Sequence, residues 1–288
     1  MFGRKNIKVA FLVEKKGIRC IFFEFVGDTI VIESEKYIEN NLETRVFIEK
    51  RSEDMYIDKI VKYMDGEKLK LGSEKISEIY ISIQEKDVIL RNIRIDSEIK
   101  DDRLKKAVEI ELEEFIPDLR NKYILNIRRE KRFEKYTDVQ AVLFPIKYVK
   151  LFSRICDRLG IEKRTLNADF DIIGKIIHMN RKDDNSIDRE TYIEIRENDI
   201  VISCSDSGWI VESYTVSDDE FEEDMVGNIL DKSDSIYVYG KSDRKINLFE
   251  KYPNIKLIKC YCDVKIKKYG KSEDNIGYIN IIGMAVDR

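Results

Sequence analysis

A run of three short, β-branched segments near the start of this 288-residue chain recurs in pattern near residue 190, and that duplication limits the fold more than any single motif. The first copy reads Ile7 to Val13, Ile18 to Val26 and Thr29 to Ile32, with turns at Glu14-Lys-Lys-Gly17 and Gly27-Asp28. The second reads Tyr192 to Ile195, Ile200 to Ser205 and Trp209 to Thr215, turning at Arg196-Glu-Asn-Asp199 and Asp206-Ser-Gly208. The likeness is one of pattern rather than identity. Two antiparallel meanders, one opening each half, predict two related lobes with a cleft between them.

Between the meanders the spacing predicts a strand at Thr44 to Ile48 and a helix from Ser52, as N-cap, to Met64, with Ile57, Ile60, Val61 and Met64 as its apolar stripe. Strands follow at Glu78 to Gln84 and Val88 to Ile95, then a helix from Asp101 or Asp102 that Pro117 stops. Strands at Tyr123 to Arg129 and Val139 to Phe144 lead into an amphipathic helix, Ile146 to Leu159, closed by Gly160. This block reads as a compact α+β insert. A short helix at Asp171 to Met179 and a polar stretch, Asn180 to Asp188, precede the second meander. Beyond it lie an acidic helix at Ser217 to Leu230, a strand at Ser235 to Tyr239, a helix at Ile246 to Tyr252, a strand at Ile255 to Cys260 and a terminal apolar segment, Ile276 to Val286, read as helix.

Composition removes several function classes. Acidic and basic residues nearly balance, 56 against 52, so no net field recommends a nucleic acid. No apolar run is long enough to span a bilayer and the opening Met-Phe-Gly-Arg-Lys-Asn lacks a signal-peptide core, so a cytoplasmic location is expected. Five scattered cysteines and the single His178 argue against a zinc site and against most catalytic triads. Cys260 and Cys262, on one side of a strand, read as ordinary thiols. Trp209 reads as a residue packed on a sheet, and the crowding of Glu220, Glu222, Glu223 and Asp224 is weak support for a metal. The run Arg128-Arg-Glu-Lys-Arg-Phe-Glu-Lys135 is most simply a solvated hairpin, although such basic groups could meet acidic headgroups if a membrane were near.

One helix breaks the rule that a buried face is apolar. At 100° per residue Leu104, Ala107, Val108, Leu112, Phe115 and Ile116 share a broad face, and Glu111 projects from within it. A carboxylate there needs a partner, since burying it alone is costly. Two readings stay open: an internal pair with Arg91, Arg94 or Arg128, or a group that fixes a bound ligand.

The meander repeated in two lobes, with an insert after the first, resembles the bacterial actin-like proteins. Within them, Ala107-Val-Glu-Ile-Glu-Leu-Glu-Glu-Phe-Ile-Pro117 is similar to the PilM family of type IV pilus assembly proteins, which carries Glu-x-Glu-x-Tyr-Ile-Pro; Glu111, Glu113, Ile116 and Pro117 match and Phe115 replaces Tyr. Tyr123-Ile-Leu-Asn-Ile resembles that family's Val-x-Leu-Asp-Tyr, with Asn126 for Asp, and Leu166-Asn-Ala-Asp resembles its Leu-Asp-Val-Glu. The resemblance implies an α/β, ribonuclease H-like two-lobed fold. Its first lobe would comprise residues 1–95 and 171–180, its α+β insert 79–170, and its second lobe, 189–288, would lack the usual upper subdomain.

Departures from the pattern bear on chemistry. Actin-like ATPases hold phosphates on glycine-rich turns in each meander. Here the corresponding positions are Glu14, Lys15 and Gly17, then Glu197, and Gly240 where a Gly-Gly pair is expected, so neither ATP nor magnesium is expected to bind and no enzymatic activity is expected. Lys15 and Lys16 could attract phosphate weakly, but hairpin lysines are usually just solvated. The resemblance then implies a non-enzymatic adaptor at the inner face of the cytoplasmic membrane, binding the N-terminal tail of a PilN-like membrane protein through Ala107, Glu111, Phe115, Ile116 and Pro117, in a groove between first lobe and insert. A pilus assembly ATPase, a platform protein or a second copy are further partners it would allow. The alternatives are a working actin-type ATPase and the cytoplasmic domain of a type II secretion platform.

Overall fold

The computed structural model describes residues 6–14, 17–27, 29–39, 50–73, 75–83, 87–96, 98–168, 170, 172–173, 175–176, 189–196, 199–217, 223–240, 255–257, 265–268, 271–272 and 278–285. The chain forms two compact units, one of Met1–Glu85 with Arg154–Arg288 and one of Lys86–Ser153. The expected strand at Thr44 to Ile48, the helix at Ile246 to Tyr252, Cys260, Cys262 and His178 fall outside the described residues.

In the larger unit β1 (Ile7–Glu14), β2 (Gly17–Val26) and β3 (Thr29–Glu39) form the antiparallel meander, and β4 (Ile76–Ile83) joins β1 in parallel. The third strand runs seven residues beyond the expected Ile32, because a register shift beside Phe22 keeps it paired with β2 as far as Glu39. The connecting helix α1 (Lys50–Lys70) also exceeds its expected span at both ends, so Ser52 lies within it rather than capping it. Tyr56, Ile57, Ile60 and Met64 are buried, Val61 is half-buried, and the helix continues through Gly66. Just beyond it, the Glu67 carboxylate accepts from Ser34 Oγ at 2.7 Å and pairs with Lys70, which anchors the added length to β3.

The smaller unit contains β5 (Ile89–Asp96), α2 (Asp101–Glu113), α3 (Leu119–Lys122), β6 (Tyr123–Arg132) and β7 (Tyr136–Pro145). Its antiparallel sheet has the order β5-β7-β6. Leu104, Val108 and Leu112 of α2 cover one face of that sheet, meeting Ile95, Leu125, Val139, Ala141 and Leu143. Helix α4 (Ile146–Arg158) begins in this unit and ends in the larger one. There Arg154 pairs with Glu53 and Asp54, and Arg158 with Asp58, fastening its last turn to α1. Gly160, at φ +66°, closes the helix as its position predicts.

β8 (Arg164–Ala168) returns the chain to the first sheet beside β4. The second meander, β9 (Arg189–Ile195), β10 (Asp199–Asp206) and β11 (Trp209–Ser217), is extended by β12 (Ser235–Gly240) and β13 (Ile255–Leu257), both running parallel to β9. Its order, β11-β10-β9-β12-β13, repeats the order β3-β2-β1-β4-β8 of the first sheet. Helix α5 (Glu223–Leu230) places Val226 and Leu230 among Ile193, Ile202 and Val238.

Two strands absent from the sequence expectation, β14 (Lys265–Lys268) and β15 (Lys271–Ser272), add to the outer side of β3. Their polar sequence carries no strand signal beyond Ile266; side chains fix them instead. Glu35 of β3 accepts from Arg19 Nε at 2.6 Å, Lys268 Nζ at 2.9 Å and the Tyr278 hydroxyl at 3.0 Å. Burial alone would lower the Lys268 pKa, but the hydrogen bonds to Glu35 and Tyr278 outweigh it and hold the ammonium above its ordinary range.

The two sheets share one core. Ala10, Leu12 and Tyr80 from the first sheet and Tyr192 and Tyr239 from the second meet helical residues Ile172, Ile173 and Ile176 and the terminal helix α6 (Ile279–Ala285), which has the helical form expected for that segment. At Gly283 the backbones come so close that an added Cβ would lie 2.3 Å from Ile172 Cγ2 and 2.9 Å from the Ile172 carbonyl oxygen. Gly283→Ala should therefore lower stability by about 1–3 kcal/mol, read as a reduced urea midpoint at unchanged slope. Parent-like stability would show that the two helices can separate without cost.

Candidate functional site

The cleft-side ends of the two meanders are where an actin-like protein would hold phosphate, and here their special residues serve the sheets. A Cβ on Gly17 would meet the Ile38 carbonyl oxygen at 2.5 Å and the Tyr37 ring at 2.8 Å. Gly240 has φ +123°, and a Cβ there would lie 2.1 Å from the Ile195 carbonyl oxygen. Both glycines admit a neighbouring strand. Lys15 and Glu197 lie outside the described residues, as does the side chain of Glu14.

The residues flanking the second meander's first turn, Arg196 and Asp199, are bonded to each other. Arg196 N–H donates to the Asp199 carbonyl at 3.0 Å, and the buried Arg196 guanidinium sits 3.1 Å from Glu194 and 3.7 Å from Asp199. Asn280 of α6 donates to the other Glu194 oxygen at 2.6 Å. A guanidinium held between two carboxylates has its positive charge already matched.

A second buried charge lies on the first sheet. Lys8 Nζ is 2.5 Å from Glu78 Oε2, the Tyr80 hydroxyl donates to the same oxygen at 2.7 Å, and Lys163 reaches Oε1 at 3.1 Å. Burial tends to raise the Glu78 pKa, but these donors together hold it below its ordinary value. No group of three or more His, Cys, Asp or Glu side chains among the described residues could hold a metal ion. The thiols of Cys20, Cys156 and Cys204 are free, buried and pushed above their usual pKa chiefly by that burial, which suits packing rather than nucleophilic attack.

On α2 the structure corrects the expectation for Glu111. The helix ends at Glu113, not at Pro117; its buried residues are Leu104, Val108 and Leu112, and Glu111 falls on the rim of the face they form, exposed to solvent. On the wheel Glu111 lies between Leu104 and the half-buried Ala107, at the edge of the face rather than its centre, and Phe115 lies past the last turn and is 73 % exposed. The expected arginines are engaged elsewhere: Arg94 with Asp138 at 2.8 Å, Arg91 with the Leu90 carbonyl at 2.7 Å, and Arg128 over the Phe144 ring. Arg120 of α3 serves this helix instead, 3.0 Å from Glu113 and 3.6 Å from Glu109.

The five residues named from the sequence therefore divide. Ala107 and Ile116 pack partly into the core of the smaller unit, while Glu111, Phe115 and Pro117 face solvent. After Pro117 the chain turns through Asp118 at φ +63°, whose carboxylate accepts from Asn121 Nδ2 at 2.5 Å. Sequence reasoning missed Ile110 and Ile124, which are 52 % and 42 % exposed. Ile110 could have been found, because on the wheel it sits nearly opposite Val108 and Leu112. Ile124 is the second residue of β6, an outer strand of its sheet among the described residues. Exposed apolar side chains beside an unpaired strand edge can receive an extended peptide through main-chain hydrogen bonds and side-chain anchors.

No protein-family profile matches the sequence, and no curated protein is similar to it in sequence. Solved structures are similar in fold. The chain matches one from the PilM–PilN type IV pilus biogenesis complex with a TM-score of 0.70, at 9% identity and over 97% of each chain. It matches the cytoplasmic domain of EpsL, an inner membrane component of the type II secretion system of Vibrio cholerae, at 0.56, with 8% identity over 98% of this chain and 95% of that one. A Bacteroides thetaiotaomicron protein with an actin-like ATPase fold matches at 0.51, with 10% identity over 99% and 97%. The fold is actin-like.

The buried Glu78 gives the fold an acid signature. Its folded pKa lies below the ordinary 4.5, so its contribution is complete above about pH 4.5 and is lost as pH falls through the folded value. Glu78→Gln, which leaves Lys8 without its counter-charge, should cost about 3 kcal/mol at pH 7. In urea titrations the gap between parent and variant should narrow as the pH is lowered toward 3; a gap independent of pH would remove Glu78 from the account of acid stability.

Proposed function

We propose that this protein is a non-enzymatic adaptor in an inner-membrane pilus or secretion platform, and that its smaller unit binds the extended cytoplasmic tail of a PilN-like membrane protein. The observation that carries this reading is the fold similarity of 0.70, spanning 97% of both chains, to a protein solved as a pilus biogenesis complex with PilN. The outer strand β6, with Ile124 exposed on it, supports it by offering a main-chain edge and an apolar side chain, and Phe115 is exposed in the turn between α2 and α3. Glu111, free of internal pairing among the described residues, is available to a basic residue of the tail.

Loss of ATP chemistry belongs to the same reading. It draws support from Gly17 and Gly240, each packed closely against a neighbouring strand, and from Arg196, whose charge is already matched by Glu194 and Asp199. Such a chain would keep the two-lobed frame as a scaffold. Its place would be the inner face of the cytoplasmic membrane, held there by its partner. The similarity to the EpsL cytoplasmic domain favours a second reading, in which the platform is that of a type II secretion system.

Calorimetry with synthetic tails of about 20 residues from PilN-like and secretion-system proteins separates the two systems. Phe115→Ser and Glu111→Lys should each weaken the productive tail at least about tenfold, as loss of an anchor or a charge pair does. Both positions are exposed, so the variants should unfold like the parent; unchanged affinity in them would reject the surface. Titration with ATP and magnesium should give no heat of binding, whereas micromolar affinity would overturn the adaptor reading.

A further inference from the structure

The tip of the β6–β7 hairpin carries a dense basic run in a chain whose net charge is negative. Residues 128–135 hold five basic and two acidic side chains, a net charge of +3 in a chain of −4, so everything else sums to −7. Lys131, Arg132, Glu134 and Lys135 are all exposed. Nearby carboxylates are engaged locally: Glu130 lies 3.4 Å from Arg132, and Asp138 is held by Arg94 at 2.8 Å.

At the centre of this basic tip stands an aromatic side chain. Phe133 N–H donates to the Tyr136 carbonyl at 2.8 Å, which shapes the turn, and the two rings pack at 4.6 Å. Lys131 Nζ lies 5.2 Å from the Phe133 ring centre, and the Arg94 guanidinium covers the Tyr136 ring at 3.7 Å. The result is a small aromatic stack framed by cations, with Phe133 still 37 % exposed. An aromatic ring flanked by lysine and arginine suits the boundary between headgroups and acyl chains. A bilayer surface can be met end-on by a convex tip, whereas a single-stranded nucleic acid needs a groove that follows its backbone.

We propose that the β6–β7 hairpin docks directly on an anionic phospholipid surface. Phe133 enters the headgroup layer, and Lys131, Arg132 and Lys135 pair with lipid phosphate and carboxylate groups. This contact is separate from tail binding and needs no partner protein.

The test is co-sedimentation of the full chain with vesicles of phosphatidylcholine alone and with about 30% phosphatidylserine added, at low and physiological salt. Binding should require the anionic lipid and weaken as salt is raised. Reversing charge at Lys131, Arg132 and Lys135 together should reduce it at least about tenfold, and Phe133→Ser several-fold, each point adding about one step of attraction. Should the triple variant fail to fold, Phe133→Ser and the salt dependence of the parent decide the matter. Equal binding of folded variants and parent, equal binding to both vesicle types, or no binding to the anionic vesicles would overturn the proposal. Tighter binding to a single-stranded RNA oligonucleotide, lost in the same variants, would also overturn it and assign the tip to nucleic acid. Because the vesicles contain no protein, failure here leaves the tail-binding reading standing.

Discussion

The contact at Gly283 sets the geometry of the larger unit. Two sheets of the same strand order can share a core only if the helical layer between them is thin, and the backbone approach of α6 to Ile172 makes it so. Ile281 and Ile282 are then fully buried, each side chain contributing on the order of 1.5–3 kcal/mol from the area it hides. A side chain at position 283 would have to displace Ile172 or α6 from this packing.

Much of this frame can be read from the chain because it rests on local periodicity. The meanders show β-branched alternation and turn residues, and α4 shows a clean apolar stripe ended by Gly160. What could not be read depends on distant partners. β14 is a strand because β3 offers it an edge and Glu35 holds Lys268, and nothing in Lys265-Ile-Lys-Lys announces that. The extra turns of α1 depend on Glu67 meeting Ser34. On α2 the error was one of depth: Glu111 lies between Leu104 and the half-buried Ala107 at the margin of the apolar face, and periodicity does not say on which side of that margin solvent begins.

The candidate site was legible in part, and for the same reason. The motif around Glu111 directed attention to the correct helix end, yet the carboxylates engaged there are Glu109 and Glu113, which a helix–turn–helix brings to Arg120. Periodicity alone does not say which of four neighbouring glutamates a later arginine will choose. Conversely, the inward turn of Arg196 and Asp199 follows from no local rule; it needs Glu194 and Asn280 in place, and they come from a strand and a helix far apart in the chain.

The strand β14 also has a meaning for biosynthesis. Lys268 and Glu35 are 233 residues apart, and Tyr278 and Glu35 are 243 apart. The outer border of the first sheet is thus covered only after a further 233 residues beyond Glu35 have been synthesised. Until then the nascent first lobe presents β3 as an open edge with a buried carboxylate lacking two of its donors, a state prone to wrong pairing. A cell making this protein has reason to shield that border during translation, and holdase chaperones that recognise exposed strands are suited to the task.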